Sequence, residues 1–106
     1  MVGKYKVITL CGSTKFKEEF LKTQKELTLQ GNIIISVGLF GHADSYYETI
    51  LTDEVKIMLD DMHKRKIDMC DEIFVINVGG YIGNSTRSEI EYALNIGKTV
   101  RYFESL

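Results

Sequence analysis

The sequence predicts an α/β fold built on a mostly parallel sheet, and three observations carry the prediction. Short, β-branched apolar runs alternate along the chain with longer stretches of helical periodicity. The runs are nearly continuous rather than alternating, as in strands covered on both faces. The chain also contains no proline, so its elements run uninterrupted. At 106 residues it supports one compact domain, 1–106, with a single hydrophobic core.

The elements follow in order. Val7 to Cys11 reads as the first strand, and Lys15 to Gln30 as a helix with Phe16, Phe20 and Leu27 at helical spacing and Gly31 as its stop. Ile33 to Val37 is the second strand. From about Ile50 to Met69 a second helix carries Leu51, Val55, Met58 and Met62 at spacings of three and four. Ile73 to Val78 is the third strand, and Thr86 to Ile96 a third helix with Ile90, Ala93 and Leu94 inward and Gly97 at its end. Thr99 to Phe103 is a weaker fourth strand.

Crossovers of this length imply right-handed βαβ units. The expected architecture is a doubly wound, flavodoxin- or Rossmann-like three-layer sandwich with strand order 2-1-3-4. That order sets strands 1 and 3 side by side where the winding reverses, and ligands bind in such a crevice. Two glycine- and hydroxyl-rich loops leave those strands there, Gly12-Ser13-Thr14 and Gly79 to Ser85.

Composition narrows the function. With 44% hydrophobic and 26% charged residues the chain is an ordinary globular one, and a formal charge of -2 argues against a broad basic surface for duplex nucleic acid. No apolar run approaches the ~20 residues that span a bilayer. The start, Met1 to Lys6, lacks the long apolar region of a secretory leader, and Cys11 and Cys70 lack CxxC spacing and read as buried reduced thiols. The expected address is therefore the cytoplasm. His42 and His63 lie far apart, and there is no HExxH, no cysteine cluster and no GxSxG elbow, so neither a metal, another cofactor nor a serine triad is expected.

Gly12-Ser13-Thr14-Lys15 stands between a strand and a helix, where free N–H groups favour an anion; taken alone it reads more simply as a turn at Gly12 with Ser13 or Thr14 capping the helix. Gly83 to Glu89 opens the third helix across the crevice, with Ser85 and Arg87 as candidate anion contacts. Glu89 itself has two readings. Thr86-x-x-Glu89 matches a capping box, but Glu89 also lies one turn before Ala93 at the edge of the buried stripe, from which its carboxylate leans into the cleft. After the second strand, Gly38 to Tyr47 resembles a lid, and His42, Tyr46 and Tyr47 are suited either to stacking on a base or to pinning the loop to the core, while Tyr81 in the opposite loop is a candidate substrate contact. Asp60 and His63, at i and i+3, are placed to form either an acid–base pair or a surface ion pair.

Taken together, Leu10-Cys11-Gly12-Ser13, Asp71 to Ile76 and Glu89-Ile90-Glu91-Tyr92-Ala93 resemble the nucleoside 2-deoxyribosyltransferase-like superfamily over nearly the whole chain. The likeness is closest to its small members, which include 2′-deoxynucleoside 5′-monophosphate N-glycosidases. The resemblance implies that Glu89 is a nucleophile that attacks the sugar C1′ and that Ser13 and Lys15 hold a 5′-phosphate. It also implies a homodimer or higher homo-oligomer in which a neighbour completes the site. The chain departs from the family pattern in having Thr9 for a tyrosine, Lys15 for an arginine and Glu91 for a glycine. Where the family has an assisting aspartate, counting places His63, with Asp60 one turn earlier. The expected function is cleavage or exchange of the N-glycosidic bond of a nucleoside 5′-monophosphate or nucleoside. The alternative is a nucleotide or nucleotide-sugar sensor module on the same scaffold, with Glu89 only a cap.

Overall fold

The computed structural model describes residues 1–41, 43–44 and 52–106. Four strands, β1 (Val7–Gly12), β2 (Ile33–Ile35), β3 (Glu72–Ile76) and β4 (Thr99–Tyr102), form one all-parallel sheet in the order β2-β1-β3-β4. Helices α1 (Lys17–Leu29), α2 (Asp53–Asp68) and α3 (Asn84–Asn95) connect them. The doubly wound α/β fold and strand order are those expected from the sequence.

Each sheet face has its own buried cluster. On one, Ile8, Leu10 and Ile76 pack with Phe20 and Leu27 of α1; on the other, Cys11, Ile73 and Val75 pack with Ile67 of α2 and Ala93 of α3. Period-two alternation along β1 makes this possible, sending Ile8 and Leu10 to one layer and Thr9 and Cys11 to the other. Thr9 uses its hydroxyl there, donating to the Lys66 carbonyl of α2 at 2.9 Å. At the end of β1 the backbone approaches β3 so closely that a Cβ on Gly12 would lie 2.9 Å from the Ile76 carbonyl oxygen, and φ there is +147°. Only glycine fits that junction.

Several boundaries and faces differ from the sequence expectation. α1 starts at Lys17, two residues later than expected, with Phe16 in the cap position, and Ser13 and Thr14 belong to the preceding turn. β2 stops at Ile35 rather than Val37. β3 ends at Ile76 because Asn77, fully buried, turns its amide to the chain end: Asn77 donates to the Glu104 carbonyl at 3.0 Å and accepts from the Glu104 N–H at 2.8 Å. α2 is capped by Thr52, whose hydroxyl oxygen accepts from the Val55 N–H; the expected start at Ile50, and Leu51, fall outside the described residues.

The inward stripe of α2 is His63 and Ile67, whereas Met58 and Met62 are exposed. These methionines mimic a core stripe about 100° from the true one. In α3, Ala93 is buried and Ile90 packs against the core, but Leu94 is exposed and Thr86 and Glu89 take the inward face. Among the described residues no helix is long and apolar enough to cross a membrane.

Candidate active site

The loops that leave β1 and β3 meet α2 around a cavity of about 280 Å³ at the switch point between those strands. Gly12, Ser13 and Thr14 form one wall; Tyr81 and Gly83 to Thr86 form another; Asp60, His63 and Lys66 of α2 close a third. Glu89 lies at its floor. The crevice expected from topology is therefore present and concave.

α3 begins at Asn84, two residues before the expected Thr86, and its cap is Gly83 with no side-chain hydrogen bond. Thr86 is thus the third residue of the helix rather than its cap, and Glu89 is the sixth. A capping-box glutamate occupies the third position. Glu89 is one turn too far along to serve, and its side chain is instead turned onto the sheet end, 9% exposed. The helix start that would have been capped faces the cavity with Asn84, Ser85 and Thr86, so the positive end of the α3 dipole borders the cavity.

Three buried groups from three elements meet at the floor: Cys11 at the end of β1, His63 in α2 and Glu89 in α3. The Cys11 Sγ lies 3.4 Å from His63 Nε2, within hydrogen-bonding range for sulfur. His63 Nε2 lies 3.9 Å from Glu89 Oε1, too long for a hydrogen bond. Burial, reinforced by Lys66, lowers the His63 pKa to about 4, against an opposing interaction with the Leu10 backbone. The imidazole is therefore neutral at pH 7, and its approach to Glu89 is not an ion pair.

Burial raises the Glu89 pKa to about 7, and the nearby Asp60 carboxylate adds to the rise; a Cys11 hydrogen bond and the Lys64 and Lys66 charges act against it. At neutral pH the carboxyl is poised between acid and carboxylate, the condition that suits reactive carboxyls. Burial, then Glu89 and Cys70, push the Cys11 thiol well above its usual range, so it stands protonated at neutral pH. Both cysteines are free and buried.

The residues singled out in the sequence separate into two groups. Gly12, Ser13, Asp60, His63, Tyr81, Ser85 and Glu89 line the cavity together. Lys15 and Arg87 do not: Arg87 is exposed, and the Lys15 ammonium sits 3.8 Å over the Tyr81 ring outside the cavity wall. Arg87 precedes Glu89 by two residues, roughly 200° round the helix, so the two cannot share a face. Asp60 is exposed and His63 buried, and the side-chain hydrogen bond at His63 is with Cys11 rather than with Asp60. His42 and Tyr46, with Tyr47, lie outside the described residues.

Sequence reasoning missed the cationic wall. Lys56 and Lys66 line the cavity, and the Lys66 ammonium donates to the Ser36 carbonyl at 2.8 Å while burial lowers its pKa and Glu89 raises it. Lys66 follows His63 by three residues, the same helical step that joins Asp60 to His63, so the helix face was readable once one member was known to be buried. No family model matches the chain, and no curated protein matches it.

Proposed function

We propose that this chain cleaves the N-glycosidic bond of a nucleoside 5′-monophosphate, with Glu89 as nucleophile. The observation that carries the reading is Glu89 itself: a carboxyl released from capping, buried at the floor of a cleft, with its pKa raised to about 7. The phosphate preference rests on the cleft walls, where the uncapped start of α3, Ser13, and the Lys56 and Lys66 side chains offer donors and positive charge. The resemblance of the Gly12-Ser13 and Glu89-to-Ala93 segments to nucleoside 2-deoxyribosyltransferase-like enzymes supports the same chemistry.

In the first step the ionised Glu89 carboxylate forms a bond to C1′ as the C–N bond breaks. The electron pair leaves with the base, which takes up a proton from the solvent of the cleft. In the second step water adds to C1′, the ester bond breaks, and the carboxylate is regenerated with loss of the water's proton. Lys66 favours the ionised carboxylate in this scheme, and Asp60 opposes it. His63, neutral and buried, orients the floor rather than donating a proton at pH 7. A cytoplasmic, homo-oligomeric enzyme is part of the same proposal, supported by the two free cysteines and by the resemblance.

The test is base release from matched nucleosides and 5′-monophosphates of each common base, followed by chromatography with and without an acceptor base. Release from at least one monophosphate, faster than from its nucleoside, is expected. No free base from any member of the panel rejects the proposal.

A further inference from the structure

We infer that Cys11, His63 and Glu89 together bind a zinc ion at the floor of the cleft. Their sulfur, nitrogen and oxygen atoms come from β1, α2 and α3 and all lie within 4.8 Å of one another, each on a buried residue. Two edges of the cluster are 3.4 Å, from Cys11 Sγ to His63 Nε2, and 3.9 Å, from His63 Nε2 to Glu89 Oε1. A tetrahedral zinc, with bonds of about 2.3 Å to sulfur and 2.0–2.2 Å to nitrogen and oxygen, separates its ligands by roughly 3.3–3.6 Å. The two histidine edges lie within a few tenths of an ångström of that range, and the Cys11-to-Glu89 edge, at most 4.8 Å, closes with a side-chain shift on the order of 1 Å.

The direction of approach matters as much as distance. Cys11 and Glu89 face the same ring nitrogen, Nε2. A proton relay through histidine uses its two nitrogens in turn, one for each partner. Convergence on a single nitrogen instead makes the space among the three donors a focus for one cation. Thiolate, imidazole and carboxylate are zinc donors, and three protein ligands with one open position is the arrangement of reactive zinc sites. His63 and Glu89 line the cavity, which supplies both the access route and space for a water in the fourth position.

Binding requires loss of the Cys11 thiol proton, and of the Glu89 proton where it is present, so uptake releases one to two protons per ion. Local motif counting is blind to this cluster, since Cys11 and His63 stand 52 residues apart in the sequence. An ion held by Glu89 withdraws that carboxylate from attack, so the zinc-bound chain has glycoside cleavage switched off. This consequence alone rests on the reading of Glu89 as nucleophile; the binding does not.

The test titrates the whole chain with Co2+ as a spectroscopic probe and then displaces it with Zn2+. Expected are one ion per chain and a thiolate-to-cobalt charge-transfer band in the near ultraviolet that zinc removes. The chain has two cysteines, so persistence of the band in Cys70→Ser assigns it to Cys11 even if Cys11→Ser fails to fold. His63→Ala weakens Zn2+ binding at least about tenfold, the lower bound for loss of groups around a metal. A wild-type chain without the band, a band lost in Cys70→Ser, or zinc affinity unchanged in His63→Ala overturns the site.

Discussion

Replacing Glu89 by Gln is expected to lower base release on the order of 10³-fold or more, the scale on which loss of a reacting side chain reads out, while leaving the fold intact. Glutamine keeps the shape and hydrogen-bonding capacity of the side chain but cannot attack C1′. The same change should stabilise the protein at alkaline pH. Burial raises the Glu89 pKa from 4.5 to about 7, so the folded chain holds its proton where the unfolded chain has lost it. The stabilisation from that held proton is complete below pH 4.5 and disappears as pH rises through 7. Above that point the folded state carries a disfavoured carboxylate worth about 3 kcal/mol, at about 1.4 kcal/mol per pKa unit. Urea unfolding at pH 8 should therefore show Glu89→Gln more stable than wild type by up to that amount. A variant with wild-type turnover removes Glu89 from the mechanism.

The second large effect concerns the pair of buried titratable groups. His63 is displaced in the opposite sense, from 6.5 to about 4, again mainly by burial. Its contribution to stability is present above pH 6.5 and is lost as pH falls through 4. Between about pH 4.5 and 6.5 the unfolded chain carries one proton, on the imidazole, and the folded chain also carries one, on Glu89. Equal proton counts mean that the two dependences cancel. Neither group is among the causes of the other's shift, so removing one leaves the other's displacement in place. Relative to wild type, Glu89→Gln should gain stability with rising pH across this window, by about 3 kcal/mol when complete. His63→Gln should lose stability over the same window by a similar amount. Urea midpoints measured from pH 4 to 8 with metal ions chelated check the two opposite slopes. Parallel profiles for all three proteins contradict the displaced pair.

Much of this was legible in residue pattern. Continuous apolar strands and long crossovers led to the sheet order and hence to the cleft, because backbone chirality leaves few alternatives. The capping box was a misleading local match: Thr86 has the right chemistry, but a glycine three residues before the expected helix start, Gly83, holds the cap position. Glycine is a weak signal there beside Ser or Thr. Met58 and Met62 hid the buried face of α2, since periodicity reports spacing but not which of two adjacent stripes meets the sheet. Cys11 read as an ordinary core thiol, and only its meeting with His63 and Glu89, elements distant in sequence, gives it a place in the site. Arg87, by contrast, was open to exclusion from sequence, because two residues from Glu89 puts it on another face.

The central claim is that the Glu89 carboxylate bonds to the sugar. Rapid acid quenching of the wild-type chain during turnover of a nucleoside 5′-monophosphate, followed by peptide mass mapping, tests it directly. The account predicts a sugar-phosphate ester on the peptide that contains Glu89, absent from Glu89→Gln. Base release with the ester on another residue, or with no ester at any quench time, would contradict it.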